Sequence, residues 1–421
     1  MDMAESDIDM AIVGAGAAGI AAARRVVAAG KSCILLEARK RAGGRAWTVH
    51  APDGSVIDLG AAWMHSAEQN PMVPLARSVG SPISTRNQDD WPKRLRLSGL
   101  SPSEIADFSQ AQDAYLARVD AAAQLSEDRP IAACLDTGSR WNPLLSAMTT
   151  WNTGSSPDKV STTARRYRSY TGTNWRPEHG YGHLLEQLAG GLPIAFGAPV
   201  TMIDWSGQSV RVTAGDMTLR ASCVILTVPP SVLAAEAVTF FPKLPAAKVT
   251  AIEELPLGVN NKIYFHLPET IDGLPDDTHF VGSLTNSATG SYQIRPMGRP
   301  LLEMFLGDAI ARTLESEGAA AMADFAGSEI RQVFGSGAVK PLAPVAASGW
   351  LNDPYSRGGY SYAMPGRAEQ RDVLAAPVGE RLFFAGEACS KNWHSTVHGA
   401  WTTGEKAAAA ALAHLDEGSL R

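Results

Sequence analysis

Three glycines near the start of the chain have the spacing of a phosphate-binding turn. Gly14, Gly16 and Gly19 form the pattern G-x-G-x-x-G between an apolar run, residues 9–13, and an alanine-rich stretch, residues 17–29. The first predicts a strand and the second a helix. In such a turn the first glycine permits a sharp bend, the second lets the backbone approach a pyrophosphate, and the third allows close packing of helix on strand. The N–H groups at the helix N-terminus would then face the phosphates.

An acidic residue after the next predicted strand extends this pattern. Residues 32–36 form a second apolar run, and Glu37 follows it directly. An acid at this position accepts hydrogen bonds from ribose hydroxyls, which leaves both NAD and FAD open as the dinucleotide. Gly43, Gly44 and Arg45 come shortly afterwards, and an arginine can hold a phosphate with two hydrogen bonds. This glycine pair followed by arginine favours a loop that folds over the phosphates and flavin of FAD.

Five segments, in order along most of the chain, resemble the flavin-containing amine oxidase superfamily. This superfamily includes monoamine oxidases, polyamine oxidases and lysine-specific histone demethylases, and the nearest resemblance is to bacterial flavin amine oxidases. The segments are EARKRAGGR (37–45), DLGAAWMH (58–65), LGVNNKIYF (257–265), WLNDPYSRGGYS (350–361) and LFFAGEACSKNWHSTVHGAWTTGEKAA (382–408). The resemblance implies an α/β protein with a Rossmann-type, glutathione-reductase-like FAD domain and an inserted α+β substrate domain. We expect residues 1–80, 192–255 and 341–421 to form the FAD domain, and residues 81–191 and 256–340 to form the substrate domain.

The resemblance also implies which residues contact FAD. They are Gly14, Gly16, Ala18, Gly19, Glu37, Ala38, Arg39, Gly44, Arg45, Gly60, Ala61, Trp63, Val200, Gly386, Glu387 and Val397. In the family, the acid of the Gly-Glu pair contacts the ribityl hydroxyls, and the helix that begins at the ATVHG run points its N-terminus at the pyrimidine end of the flavin. In monoamine oxidases a cysteine bonded to the flavin precedes the tyrosine that Tyr360 matches, and here that position is Gly359. We therefore expect the FAD to be bound non-covalently.

Four residues match catalytic positions of the family. Lys262 matches a lysine that holds a water against flavin N5, and a buried ammonium there would stabilise negative charge on the reduced ring. Tyr360 matches one wall of an aromatic cage that orients the amine. Thr396 stands where monoamine oxidases have the second cage tyrosine, so a half-open cage and a bulkier or longer substrate are expected. His65, in WMHS, matches the histidine of the WIHG run of polyamine oxidases, although Ser66 departs from the family's glycine; a structural role for His65 is the alternative.

The implied reaction is oxidation of a small-molecule amine. A hydride would pass from the α-carbon of the neutral amine to flavin N5, the imine would be hydrolysed, and O₂ would be reduced to H₂O₂. The alternatives are a dehydrogenase or desaturase of the same fold that uses another acceptor, and a flavin-binding protein without turnover. L-amino-acid oxidases of this superfamily have an arginine where this chain reads GAAWMH, so an α-amino acid is not the expected substrate. Histone demethylation is not expected either, because the chain lacks room for additional DNA- and partner-binding modules.

Composition excludes several other classes. The net charge is −6, so there is no basic excess that would predict a nucleic-acid partner. We interpret the cluster Arg165, Arg166 and Arg168 as a solvated face. The acidic N-terminus is unlike a signal peptide, no run is long enough to span a membrane, and the four cysteines are scattered, which together predict a soluble cytoplasmic protein. No metal site is expected, and the sequence identifies neither the amine nor the oligomeric state.

Several segments predict regular structure. Residues 103–125 have apolar residues at helical spacing and predict a core-facing helix. Residues 200–205, 209–213 and 217–221 alternate and predict a meander, after which the apolar run 224–228 predicts a separate return to the interior of a parallel sheet. Residues 309–334 predict a helix interrupted near Gly318, residues 382–385 a short strand, and residues 403–415 a helix.

Overall fold

The computed structural model describes residues 7–86, 91–267, 271, 273–335, 342 and 344–418. Its strands are β1 (Asp7–Val13), β2 (Cys33–Glu37), β3 (Thr48–His50), β4 (Val56–Asp58), β5 (Met64–His65), β6 (Ile83–Ser84), β7 (Asn174–Pro177), β8 (Ile194–Phe196), β9 (Val200–Asp204), β10 (Val210–Ala214), β11 (Met217–Leu226), β12 (Thr239–Phe241), β13 (Asn260–His266), β14 (Thr278–Val281), β15 (Ser291–Ile294), β16 (Leu301–Gly307), β17 (Pro344–Ala347) and β18 (Leu382–Phe384). Its α-helices are α1 (Ala17–Ala28), α2 (Met72–Ser78), α3 (Trp91–Arg94), α4 (Pro102–Ala123), α5 (Asn142–Thr153), α6 (Thr163–Tyr167), α7 (Tyr181–Ala189), α8 (Pro230–Ala234), α9 (Ala246–Glu253), α10 (Asp308–Glu317), α11 (Ala319–Phe334), α12 (Gln370–Ala375) and α13 (Val397–Gly418).

The largest sheet combines a parallel part with an antiparallel meander. Its strand order is β12-β9-β10-β11-β1-β2-β8, and β18 pairs with the second half of β11. β1 is parallel to β2 and to β11, and β2 is parallel to β8. The chain passes from β1 through α1 to β2, so the predicted strand–helix–strand unit is confirmed. The carboxyl end of β1 therefore leads directly into the glycine turn.

The prediction of two strands between residues 217 and 228 is wrong, because β11 is one continuous strand. Its first half pairs antiparallel with β10, with Val210 opposite Ala221. Its last residues pair parallel with β18, with Val224 opposite Leu382. The alternating half lies in the meander and the uniformly apolar half lies in the buried parallel part, so the pattern changes although the strand does not end.

A second, antiparallel sheet has the order β14-β15-β16-β13-β17. Its buried side chains form a core with α10 and α11, which are separated at Gly318 as predicted. α4 confirms the predicted helix and begins with a capping box in which Ser101 and Glu104 bond each other's backbone N–H groups. α4 packs against α5 through a separate apolar cluster that includes Phe108, Tyr115 and Leu144.

The core next to the glycine turn is built from segments far apart in sequence. α1, α7 and α13 pack together on one face of the large sheet, with Ile20, Leu185 and Trp401 among the buried residues. α7 falls within the segment predicted to belong to the substrate domain, and β17, predicted for the FAD domain, pairs with β13 in the second sheet. The predicted limit at 340/341 lies outside the described residues, and the division into domains stays a prediction. Within the described residues, every helix is too short or too polar to cross a lipid bilayer.

Candidate active site

One large cavity of about 1030 Å³ brings the predicted site residues together. It lies at the upper end of the range of about 300–1,000 Å³ that is typical of small-molecule and cofactor sites. The predicted residues that line it are Gly14, Gly16, Ala18, Glu37, Ala38, Arg39, Gly44, Arg45, Gly60, Ala61, Trp63, His65, Val200, Lys262, Tyr360, Gly386, Glu387, Thr396 and Val397. Their roles toward a cofactor or substrate stay predictions.

Gly19 is the predicted residue that does not line this cavity. A Cβ at this position would meet the carbonyl oxygen of Gly14 at 1.9 Å. The absence of a side chain at Gly19 therefore lets α1 pack against the end of β1, which is the role that its place in the motif predicts.

The N-terminus of α1 opens onto the cavity between two glycines. Gly16 is the N-cap residue, and no side chain of the described residues caps the helix there. Gly44 has a φ of +59°, and a Cβ on it would lie 3.2 Å from the Cα of Gly16. The two loops thus approach so closely that side chains would fill the space in front of the helix N-terminus, where N–H groups and the helix dipole favour an anion.

Glu37 closes one end of this region. Its side chain is buried and accepts hydrogen bonds from the backbone N–H groups of Ala15 at 2.7 Å and Arg39 at 2.8 Å. An ionised carboxylate has about four acceptor sites, so two remain for further donors such as ribose hydroxyls. The guanidinium of Arg39 is held in turn by Asp353, at 2.5 Å, and by Ser356.

Glu387 connects three of the sequence motifs, because it bonds Arg45 and Ser361 and also Ser395 of its own segment. One of its oxygens accepts from Arg45 at 3.0 Å and from the N–H of Ser361 at 3.1 Å, and the other accepts from the Ser361 hydroxyl and the N–H of Ser395. Burial opposes ionisation, but the positive charges of Arg45 and Arg371 outweigh it and lower the pKa of Glu387. These four donors use the acceptor sites of the carboxylate, so in this chain Glu387 positions its neighbours around the cavity.

Thr396 caps the last helix. Its hydroxyl accepts from the N–H of Gly399 at 3.0 Å and donates to the carbonyl of Trp393 at 2.6 Å. α13 therefore begins at Val397, earlier than the predicted helix 403–415, and its first turn faces the cavity. Burial, followed by the charges of His65 and Arg168, lowers the pKa of His398 in this turn to about 3. The helix N-terminus thus presents its dipole beside a neutral imidazole.

Lys262 lies in a buried charge cluster at the cavity. Its ammonium is 3.7 Å from a carboxylate oxygen of Glu303 and donates to the backbone carbonyl of Asp58 at 3.3 Å. Glu303 also pairs with Arg176 at 3.6 Å. Burial lowers the pKa of Lys262, an effect that Glu303 counteracts and Arg176 reinforces. The sequence pattern singled out the lysine but gave no sign of Glu303 or Arg176, which reach it from β16 and β7.

Aromatic side chains bound the space next to Lys262. Tyr360 donates a hydrogen bond to the carbonyl of Trp151, and burial raises the pKa of its hydroxyl. The guanidinium of Arg176 lies over Trp63, 3.6 Å from the ring centroid. Because these rings are fixed by buried partners, they can restrict water and orient a bound molecule.

His65 also lines the cavity and belongs to a group of polar side chains. Its Nδ1 lies 2.7 Å from the amide oxygen of Asn174, and the Asn174 amide donates to the hydroxyl of Tyr170. The ring centroids of His65 and Tyr170 are 6.1 Å apart. This arrangement fixes the imidazole by a side chain that sequence reasoning did not identify.

The interpretation of Arg165, Arg166 and Arg168 as a solvated face is wrong for Arg168, whereas the side chain of Arg165 is 34% exposed. Arg166 is exposed, but Arg165 and Arg168 line the cavity. Desolvation, together with the charge of Arg165, lowers the pKa of Arg168, and the guanidinium lies 5.7 Å from the ring centroid of Tyr170. α6 is too short to show a helical pattern of exposed and buried positions, so the sequence could not separate the three arginines.

The residues around the glycine turn fit FAD. The open N-terminus of α1, the loop at Gly44 and the remaining acceptor sites of Glu37 offer a place for phosphates and a ribose, and Lys262 and the N-terminus of α13 line the same cavity. Within the described residues, no group of three histidine, cysteine, aspartate or glutamate side chains is placed to hold a metal ion.

Known proteins with similar sequences cover almost the whole chain. The profile of the family described as flavin containing amine oxidoreductase matches residues 17–128 and 147–412. Polyamine oxidase 3 of Oryza sativa subsp. japonica is 30% identical, and the match covers 94% of this chain and 87% of that protein. Lysine-specific histone demethylase 1 homolog 2 of Arabidopsis thaliana is 28% identical, but the match spans 58% of its length.

The mixed α/β fold is also found in solved structures. Putrescine oxidase, in a structure of the wild type bound to putrescine, superposes with a TM-score of 0.76 at 21% identity, over 97% of this chain and 99% of that one. This likeness concerns the fold, whereas the family profile and the rice relative establish the kinship in sequence. The chain belongs to the flavin-containing amine oxidoreductases, a family of FAD-dependent enzymes that act on the CH–NH bond of amines.

Proposed function

We propose that the protein is an amine oxidase that binds FAD non-covalently in a Rossmann-type domain and oxidises a small-molecule amine at the carbon next to nitrogen, with O₂ as the electron acceptor and H₂O₂ as a product. When bound, FAD would supply the acceptor for the hydride from that carbon. The observation that carries the proposal is the buried Lys262, which lies at the same cavity as the glycine turn and the N-terminus of α13.

The cofactor would lie between the two ends of this cavity. The N-terminus of α1 and the loop at Gly44 would hold the phosphates, and Glu37 would accept from ribose hydroxyls. Gly359, at the position of the flavin-linked cysteine of monoamine oxidases, has no side chain with which to form a covalent bond. Arg45 donates to the carbonyl of Gly359, which fixes this loop next to Glu387.

At the other end, Lys262 would stabilise negative charge. Its ammonium is held by Glu303 and the carbonyl of Asp58, so its position needs no rearrangement when charge develops near it. The N-terminus of α13 adds a dipole of the same sign. Tyr360 and Trp63 would exclude water and orient the amine, and the imidazole of His65 could accept a proton from the ammonium form of the substrate.

A dehydrogenase with another acceptor and a flavin-binding protein without turnover are the competing functions. Both would retain the cofactor cradle, but neither requires that Lys262 be kept buried beside Glu303 at a cost in desolvation. The charge cluster therefore supports an oxidase more than either alternative.

The test is a peroxide-coupled screen of the FAD-loaded protein against monoamines, polyamines, cyclic amines and amino acids, repeated with Lys262→Met. Lys406→Met is the matched control, because Lys406 is an exposed lysine on α13. We expect peroxide with one amine class, a large loss of turnover in Lys262→Met with its flavin spectrum retained, and unchanged turnover in Lys406→Met.

Other results would identify the competing functions. Anaerobic bleaching of the flavin by an amine without peroxide in air would indicate a dehydrogenase. No bleaching by any amine would indicate a flavin-binding protein, and unchanged turnover in Lys262→Met would contradict the role given to Lys262.

A further inference from the structure

Arg168 is a cation of the cavity wall, and the part of the chain that the structure describes places no carboxylate beside it. It directly follows α6 and lines the cavity together with Tyr170 and Tyr360. The side chains whose charges influence it are Arg165, Tyr170 and Tyr360, and no carboxylate of the described residues lies within ion-pairing distance of its guanidinium. Its guanidinium is therefore a partly desolvated group of hydrogen-bond donors in the cavity wall.

Three other cations of the cavity wall are paired with carboxylates. Arg45 pairs with Glu387 at 3.0 Å, Arg165 with Asp120 at 2.9 Å, and Lys262 with Glu303. Their charges are compensated within the protein. Arg168 thus contributes positive potential that a bound anion could neutralise.

The acids of the described wall are already engaged. They are Glu37, Glu303 and Glu387, and each lies within 4.0 Å of an arginine or lysine. A diamine or polyamine carries a second ammonium that needs a negative partner when it is buried. Among the described residues that line the cavity, no carboxylate remains to receive that ammonium.

We propose that the amine substrate carries a carboxylate, and that Arg168 binds it. A guanidinium presents parallel N–H donors that match the two oxygens of a carboxylate, and Tyr170 beneath it restricts its orientation. The chain lacks the arginine that amino-acid oxidases of this superfamily have at the GAAWMH segment, but Arg168 supplies the same charge from a different element. The inference rests on the proposed amine oxidation and narrows its substrate to amines that are also carboxylic acids.

Three molecules of equal carbon-chain length separate the possibilities. 4-Aminobutyrate, butylamine and putrescine all carry a primary amine at one end. At the other end 4-aminobutyrate has a carboxylate, butylamine a methyl group and putrescine a second ammonium. The experiment measures the anaerobic reduction of the FAD-loaded protein by each, and gives a dissociation constant and a limiting rate for wild type, Arg168→Met, Arg168→Lys and Arg166→Met. Arg166 is the matched control because it lies on α6, two residues before Arg168, is exposed, and donates to the carbonyl of Ala123.

We expect the wild type to bind 4-aminobutyrate more tightly than butylamine or putrescine. Arg168→Met should raise the dissociation constant of 4-aminobutyrate on the order of ten- to hundredfold, as expected for the loss of a charge-assisted hydrogen bond. The dissociation constant of butylamine should change by less than about twofold, because butylamine makes no such bond. Arg168→Lys should restore part of the loss, and Arg166→Met should resemble the wild type. The inference would be overturned if Arg168→Met weakened the binding of all three amines equally, or if the wild type bound putrescine more tightly than 4-aminobutyrate.

Butyrate distinguishes failure of this inference from failure of the proposed function. It has the carboxylate but no amine, and its binding to the FAD-loaded protein can be measured by calorimetry without turnover. If no amine reduces the flavin, amine oxidation is wrong, but butyrate binding that is lost in Arg168→Met still supports the carboxylate site. If amines reduce the flavin and butyrate does not bind, the carboxylate site is wrong while amine oxidation stands.

Discussion

Replacing Glu303 by glutamine tests how strongly the buried charge cluster depends on its acid. The carboxylate lies 3.7 Å from Lys262 and 3.6 Å from Arg176, and all three side chains are buried. At an effective dielectric constant of about 20, each attraction is worth about 4 kcal/mol. Glu303→Gln removes both attractions and leaves the buried Asp58 as the acid that still acts on the two cations, in a site of low polarity where losses of about 3–5 kcal/mol are typical.

Combining this change with Lys262→Met measures the coupling between the two residues. The double variant removes one of the uncompensated cations, so it should be more stable than the sum of the single changes predicts, by about 1–3 kcal/mol. The assay is urea unfolding at one fixed, saturating FAD concentration, because bound cofactor contributes to the apparent stability of every variant.

An exposed ion pair provides the comparison. Asp120 pairs with Arg165 at 2.9 Å, and its side chain is 55% exposed, so Asp120→Asn should cost less than about 1 kcal/mol. The reasoning would be refuted if Glu303→Gln cost no more than Asp120→Asn, or if the double variant were additive within about 0.5 kcal/mol.

Three further predictions concern the cradle and the parts that support it. Gly44→Ala should weaken FAD binding at least about tenfold, because the new Cβ would lie 3.2 Å from the Cα of Gly16. Gly30 also has a positive φ, +73°, but open space where a Cβ would lie, so Gly30→Ala carries the same backbone strain and should leave the FAD dissociation constant unchanged. Lys248→Met should lower the free energy of unfolding by about 2–4 kcal/mol, because the ammonium donates to three carbonyls at the end of α12; urea unfolding with a loss below about 0.5 kcal/mol would contradict this. Because the folded-state pKa of Glu387 lies below the ordinary glutamate value of 4.5, its stabilising contribution is complete above pH 4.5 and is lost as the pH falls through the folded-state pKa. The difference in unfolding free energy between wild type and Glu387→Gln should therefore shrink on acidification, and a difference that grows toward low pH would contradict the assignment.

The parts of the site that come from short, continuous motifs could be predicted from the sequence. The strand, glycine turn and helix at the start of the chain follow from local patterns, and Gly19 packs where its place in the pattern requires. Lys262, Tyr360 and Val397 lie in segments that match the family, and they line the same cavity as that turn. Each of these predictions rests on residues close together in the sequence.

The partners of those residues could not be predicted, because the fold brings them from distant segments. Glu303 lies opposite Tyr264 on the neighbouring strand and reaches Lys262 diagonally, and Arg176 comes from a different sheet. Asn174 holds His65 from the strand next to it. A charged residue in a short strand has the same sequence signature whether it is solvated or paired, so only the tertiary arrangement separates the two.

The packing of α1 against α13 has a consequence for the order in which the protein can fold. The alanine-rich face of α1 is covered by residues such as Trp401 and Ala408, which a ribosome adds long after α1. During synthesis α1 therefore has an uncovered apolar face, and the core around it cannot form until α13 has emerged. The cofactor cradle is thus completed only after all the segments between α1 and α13 have been made, and the nascent chain is exposed to misassembly during that interval.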